Sequence, residues 1–318
     1  MIDNNLIHIE NSALTNTSQR LNTLIGSFIN SQDVKDSSKA LYKRTISQYF
    51  KWIDRNKFKQ NEITRAEVLK YKQELLESGM SSLTVGSYIT VVRKFYEWTE
   101  ANKLYPNVAK NIKTPRRKQQ FKKQSLTDSQ AKSLLDHYKN KQFEALRDYA
   151  VISLLLRTGL RTVELIRANI EDVTMKEGKR ILFIQGKGRD EKDNFVIITG
   201  KAFEPIEEYL KTRGAYKVKE PLFTSVSNNN LGGRLTTRAI SKIAKEGLIA
   251  IGLNDRNYTA HSLRHTTACS LIRKGVSLEH IQGVLRHSNP ATTQIYLSSI
   301  AEETRLKENT EAVLDEVY

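Results

Sequence analysis

Residues 285–296 read Leu285-Arg286-His287-Ser288-Asn289-Pro290-Ala291-Thr292-Thr293-Gln294-Ile295-Tyr296. One helix closes near Arg286, and the next opens at Asn289, a good N-cap, with Pro290 suited to the first helical position. The pattern predicts helices over 278–286 and 290–298, with Tyr296 two turns inside the second. Upstream, His261-Ser262-Leu263-Arg264-His265-Thr266-Thr267-Ala268 opens a predicted helix over 260–274. His261 and Arg264 stand at i and i+3, on one face and near an N-terminus whose dipole favours an anion.

Further upstream, a buried helix over Ala150–Leu156 ends near Gly159, and Arg161 follows it in Thr158-Gly159-Leu160-Arg161. Residues 169–199 change character. Ile170–Val173, Arg180–Ile184 and Asn194–Ile198 read as three short strands, the last two joined by Gln185-Gly186-Lys187-Gly188-Arg189. Helices return over about 201–212 and 236–251, and a last one is expected near 301–315. This half opens with the capping box Thr127-Asp128-Ser129-Gln130.

The first half is read as helical throughout. Leu21, Leu24, Ile25 and Phe28 give one apolar face; Leu41, Ile46, Tyr49, Phe50 and Ile53 a second; Val85, Ile89, Val92, Phe95 and Tyr96 a third. Thr64-Arg65-Ala66-Glu67 is a capping box, and Gly79 stops the helix that it starts. The expected organisation is a polar tail, 1–17; a helical domain, 18–115; a basic linker, 116–124; and a second domain, 125–318, with a tail over 301–318.

Composition narrows the partners. The chain has 318 residues, enough for two domains, and 15 glycines with 5 prolines, too few for a low-complexity or collagen-like chain. Fifty-one basic residues against 35 acidic ones leave a net charge of +16, which points to a polyanion and, through counterion release, to nucleic acid. Five basic and no acidic residues fall in Arg116-Arg117-Lys118-Gln119-Gln120-Phe121-Lys122-Lys123-Gln124. That stretch is either a solvated linker or one that touches a phosphate backbone. The single cysteine, Cys269, excludes an internal disulfide and cysteine-rich zinc sites. Neither a signal peptide nor a membrane span is evident, so a soluble cytoplasmic protein with no membrane partner is expected.

Familiar enzyme motifs fail. There is no phosphate-binding P-loop and no nucleophile elbow. His261 and His265 have the spacing of a zinc helix, but Ser262 stands where a metalloprotease carries its glutamate. Arg161, Lys187, His261, Arg264, His287 and Tyr296 remain. Taken singly, each has a plain reading: Arg161 paired with Glu164, Lys187 solvated in a turn, a His and an Arg answering local carboxylates, a tyrosine packed in a helix.

Their order along the chain changes the reading. Thr158–Leu165, Gly186-Lys187-Gly188, His261–Ala268 and Leu285–Tyr296, in that sequence and with His287 and Tyr296 nine residues apart, resemble the tyrosine recombinase (phage integrase) family, in its simple Xer-like form. The resemblance covers residues ~125–300 by motif and the first half by layout. Two positions depart from it: Arg286 stands where the family commonly has glycine, and Ser262 replaces an acidic or amide residue.

The resemblance implies a mainly α fold with a small antiparallel β-sheet, built as a two-domain DNA clamp: a helical core-binding domain, a catalytic domain, and the linker crossing double-stranded DNA. It implies that Tyr296 is the nucleophile on a DNA phosphodiester, giving a 3′-phosphotyrosyl intermediate. Arg161 and Arg264 would clamp the phosphate oxygens, Lys187 would protonate the departing 5′ oxygen, His261 would assist proton transfer or donate to phosphate, and His287 would hydrogen-bond the phosphate. No metal, ATP or other cofactor is expected. Arg93 and Lys94 on the fourth helix, with Arg116, Arg117, Lys122 and Lys123 in the linker, are the candidate DNA contacts. A homo-oligomer on DNA, usually a tetramer, is implied, the tail packing into a neighbour or back onto its own chain. The biological task would be integration or excision of a mobile element, or resolution of DNA dimers or cointegrates. The rivals are a type IB topoisomerase-like enzyme, with the same chemistry and no strand exchange, and a DNA-binding protein without catalysis.

Overall fold

A computed structural model of the chain describes residues 17–116, 124–139, 145–186, 188–308, 311–315 and 317–318. It divides into two compact units, Met1–Gln119 and Gln120–Tyr318.

Among the described residues the first unit holds four α-helices: α1 (Thr17–Asn30), α2 (Asp36–Arg55), α3 (Arg65–Glu77) and α4 (Ser82–Ala101). The Thr64 box closes as expected. The Thr64 hydroxyl accepts from the Ala66 N–H, and the Glu67 carboxylate accepts from the Thr64 N–H at 2.7 Å. Aromatic rings fill the core. Phe28 and Phe50 each meet Phe95 edge-on, and Tyr49 packs against Tyr71. Burying phenols demands partners: the Tyr49 and Tyr96 hydroxyls share a hydrogen bond of 3.0 Å, and Trp52 Nε1 donates to Glu74.

The second unit begins with α5 (Asp128–Lys139), α6 (Leu146–Thr158) and α7 (Thr162–Arg167). The Thr127 box is made: the Gln130 N–H donates to the Thr127 hydroxyl, and the Thr127 N–H to the Gln130 side chain. A three-stranded antiparallel sheet follows, in the order β1 (Val173–Lys176), β2 (Lys179–Ile184), β3 (Asn194–Ile197). Leu182 pairs with Val173 and with Val196. Then come α8 (Gly200–Arg213), α9 (Thr237–Ala250), α10 (Ala260–Arg273), α11 (Leu278–Leu285), α12 (Ala291–Glu308) and α13 (Ala312–Asp315). Leu154, Leu155, Leu182, Ile206, Ile240 and Leu263 are fully buried in the shared core.

Two expectations are corrected. The first strand lies later than read: Ile170–Asp172 is a 3₁₀ turn, because Asp172 accepts from the Asn169 N–H at 2.6 Å and caps it, and β1 starts only at Val173. The expected break between 298 and 301 is absent. Leu297-Ser298-Ser299-Ile300-Ala301 contains neither Gly nor Pro, so α12 runs unbroken to Glu308.

Gly159 shows how tightly this unit closes. It ends α6 in the left-handed region, φ 60°, and a β-carbon there would lie 2.8 Å from Leu285 Cδ2. Both the turn and the approach of α11 require glycine. Among the described residues, no helix is long and apolar enough to cross a membrane.

Candidate active site

Three segments meet where α6, α10 and α11 end or begin. After Gly159, Arg161 takes an extended backbone as the N-cap of α7. Glu164, one turn on and 1% exposed, accepts from the Arg161 N–H and from Arg161 Nη1, each at 2.8 Å. The pairing read from sequence is thus made. It fixes the start of α7 and the root of the Arg161 side chain together.

α10 supplies His261, Arg264 and His265 from successive turns. Arg264 is almost wholly buried, and its guanidinium donates to the carbonyls of Gly159 and Leu285, tying α10 to both neighbouring segments. Burial, helped by Arg161 and Arg286, lowers its pKa to about 9, opposed by Glu164 and Tyr296. It remains a cation at neutral pH. His261 is exposed at the start of the helix, and its ring lies edge-on to His265 at 4.5 Å.

α11 ends at Leu285, and Arg286 takes the left-handed cap, φ 54°. The His287 N–H donates to the Gln282 carbonyl and the Gln282 amide to the His287 carbonyl, which closes the turn. Asn289 accepts from the Ala291 N–H and starts α12 as read. His287 Nδ1 lies 2.8 Å from the Thr293 hydroxyl, and its ring is parallel to that of Tyr296, 6.2 Å away. Burial, together with the charges of Arg264, Arg161 and Arg286, lowers the His287 pKa to about 4.

The Tyr296 side chain is buried, and its hydroxyl lies 3.0 Å from His265 Nδ1. Burial raises its pKa to about 12, while the positive charges of Arg264 and Arg161 pull the other way. His265 is itself lowered to about 3, by burial and then by His261, Arg264 and His287. The phenol therefore meets a neutral imidazole, inside the field of two guanidinium groups.

Arg161, His261, Arg264, His287 and Tyr296 are thus brought to one place. Lys187 lies outside the described residues; next to it, the Gly186 carbonyl accepts from Arg167 Nη1 at the end of α7. A cavity of about 270 Å³ beside these groups is lined by Arg161, Glu164, Gly186, Arg189, Arg286 and Ser288. Sequence reading missed His265 and the reach of Arg286. His265 stands one turn after His261 on the same helix face, a spacing that was weighed for zinc alone.

In the first unit, Arg93 is exposed on α4 and Lys94 half-buried; Arg116 is exposed, and Arg117, Lys122 and Lys123 lie outside the described residues. α2 adds a basic edge that the reading passed over. Arg44, Gln48, Lys51 and Arg55, at helical spacing, line a cavity of about 620 Å³.

Residues 124–303 match the phage integrase family, and the chain belongs to that family, the tyrosine recombinases, enzymes that cut and rejoin DNA. Within it the chain is Xer-like. It is 30% identical over 270 residues to tyrosine recombinase XerC of Thermodesulfovibrio yellowstonii, covering 82% of this chain and 86% of that one. It is 31% identical over 258 residues to XerA of Pyrococcus horikoshii, covering 80% and 82%. The fold is shared with XerH site-specific recombinase, in a post-cleavage complex with a palindromic difH substrate, at a TM-score of 0.73 and 20% identity over 93% of this chain and 85% of that one. It is also shared with a lambda integrase dimer on a core site, at 0.65 and 15% identity, covering 86% and 96%.

Proposed function

We propose that this recombinase acts on duplex DNA through a covalent link to Tyr296, with Arg161, Lys187, His261, Arg264 and His287 completing the site. The supporting observation is that the Tyr296 phenol lies within the field of both Arg264 and Arg161. The phenol oxygen attacks the scissile phosphorus; a Tyr–O–P bond forms and the bond to the 5′ oxygen breaks. A phenol of ordinary pKa ~10 must lose its proton as it attacks. That proton passes to His261, His287 hydrogen-bonds the phosphate, and Lys187 protonates the 5′ oxygen. Charge gathering on the non-bridging oxygens is met by Arg161 and Arg264, planar donors suited to two-point contact. The phosphotyrosyl ester keeps the energy of the broken bond, so rejoining reverses the step without ATP, and the guanidinium groups take the part a metal would play.

In the free protein the phenol rests on His265, so it must leave that partner to reach a phosphate. Binding places the duplex against the basic edges of α2 and α4 and against the linker. Two protomers take the two halves of one site, and two sites make a tetramer.

The test is covalent capture. DNA linked to the protein in its host is recovered, sequenced, and rebuilt as a nicked substrate. In excess chelator and without ATP, the wild-type protein should form a detergent-stable adduct, and Tyr296→Phe should bind alike and form none. An adduct with the Phe variant would move the nucleophile to another tyrosine. Relaxation of supercoils by single protomers, with no recombinant product, would favour the topoisomerase-like reading. The recovered sites then separate integration or excision of an element from resolution of dimers or cointegrates.

A further inference from the structure

Arg286 occupies a backbone conformation that glycine or asparagine adopts most easily at a helix end. Its side chain turns inward rather than to solvent, and is 7% exposed. Nη2 donates to Glu164 Oε2 at 3.0 Å and lies 3.4 Å from the Gly159 carbonyl; Nη1 donates to the Val284 carbonyl. Nε is buried with no partner. An arginine held in an uncommon backbone state, with a donor unsatisfied, is costly, so what its other contacts accomplish matters.

The contact that distinguishes this arginine is Glu164. That carboxylate also holds Arg161, through Oε1 at the guanidinium and through Oε2 at the backbone N–H. Arg286 occupies Oε2 as well, so Arg161's guanidinium meets one carboxylate oxygen only. Charge counting gives the same result. Arg161 with Glu164 alone is a neutral pair, whereas Arg161, Glu164 and Arg286 together carry one positive charge at the cavity that all three line. A neutral pair draws a phosphate far less than a cation does.

We propose that Arg286 is a positioning residue for strand cleavage: by sharing Glu164 it stops that carboxylate from taking Arg161 at two points, and leaves Arg161's remaining donors and a net positive charge for the phosphate. This rests on the assignment of Arg161 to the phosphate made above.

The experiment compares wild type, Arg286→Gly and Arg286→Lys on a nicked half-site, once with the natural phosphodiester and once with a methylphosphonate at the scissile position. The methylphosphonate carries no charge there and needs less from Arg161. Glycine suits the backbone at 286, and half-site affinity should stay within about two-fold. Adduct formation by Arg286→Gly should slow about ten-fold on the phosphodiester, less than the ~100-fold or more typical of removing a direct contact to a developing oxyanion. On the methylphosphonate the deficit relative to wild type should shrink to about three-fold or less, and Arg286→Lys, which keeps the cation, should recover most of the phosphodiester rate. Equal slowing on both substrates would mean that Arg286 only holds the His287 turn in shape, and no slowing would mean that it does nothing for cleavage; either overturns the proposal. If Arg286→Gly fails to bind the half-site, Arg286→Gln, which lacks the charge, takes its place against Arg286→Lys under the same criteria. A wild-type protein that forms no Tyr296 adduct would instead overturn the assignment of the site itself.

Discussion

Replacing Gly159 with alanine tests the closure of the catalytic unit. Two costs act there. Alanine in the left-handed region costs about 1–2 kcal/mol relative to its preferred conformations. Its β-carbon would also stand 2.8 Å from Cδ2 of the buried Leu285, so that side chain or the turn carrying it must shift. Overpacking of that kind costs about 1–3 kcal/mol. The control is Gly178→Ala in the β1–β2 turn, where φ is 72° and nothing lies within 4 Å of the added carbon. Gly178→Ala should lose the conformational cost alone, and Gly159→Ala should lose about 2–5 kcal/mol in all. Both tryptophans, Trp52 and Trp98, lie in the first unit, so their fluorescence would miss the event. Hydrogen exchange of amides in α6 and α10 reports it directly. The Gly159 carbonyl also accepts from Arg264, so the adduct rate should fall with the stability. Equal destabilisation by the two alanines would refute the claim that Leu285 needs the space.

Three other outcomes are expected. His265 and His287, with pKa values lowered to about 3 and about 4, should make the catalytic unit less stable as pH falls from about 6.5, the unfolded value, to 5. In that window the unfolded chain binds the protons that the folded one refuses, at up to about 1.4 kcal/mol per pH unit for each histidine. Urea midpoints that stay flat from pH 7 to 5 would mean the two rings are not buried neutral. Replacing Arg116, Arg117, Lys122 and Lys123 with alanine should weaken binding to all DNA sequences alike and flatten the salt dependence by about 0.9 in log–log slope per lost phosphate contact; an unchanged slope returns that stretch to a solvated linker. Truncation after Glu308 should leave half-site binding intact and remove cooperativity on a full site, read by native-gel mobility, if the last residues dock on a neighbouring protomer; wild-type cooperativity would place them on their own chain.

What was legible in the sequence is what is decided within a turn or two of chain. The Thr64 and Thr127 boxes, the Gly159 stop, the Asn289 cap and the Arg161–Glu164 pair all join residues at most four apart. The first strand slipped because Asn169-Ile170-Glu171-Asp172 makes its own cap, a competition between turn and strand that an apolar pattern does not register. The separate tail helix was an expectation without a stop signal behind it. The least legible contacts are those closed by tertiary packing: His265 on Tyr296, 31 residues away, and Arg286 on Glu164, 122 residues away. Nothing local to Arg286 says which carboxylate it will find. Family resemblance helped least there, because this residue departs from the pattern.

Arg264 has a practical implication for anyone seeking an inactive form of this protein. Its guanidinium stitches the carbonyl ends of α6 and α11 to the second turn of α10, just ahead of the turn that leads into the Tyr296 helix. A protein lacking it would lose a structural rivet along with any charge offered to DNA: the Leu285 carbonyl would lose its guanidinium donor, and the Gly159 carbonyl would keep only the longer contact from Arg286. Silence from such a variant would be uninterpretable, since a misassembled scaffold and a missing reagent give the same blank lane. On the proposed assignment the single oxygen of Tyr296 is the better handle, because removing it should erase the chemistry at the cost of one hydrogen bond, to His265, and leave the masonry standing.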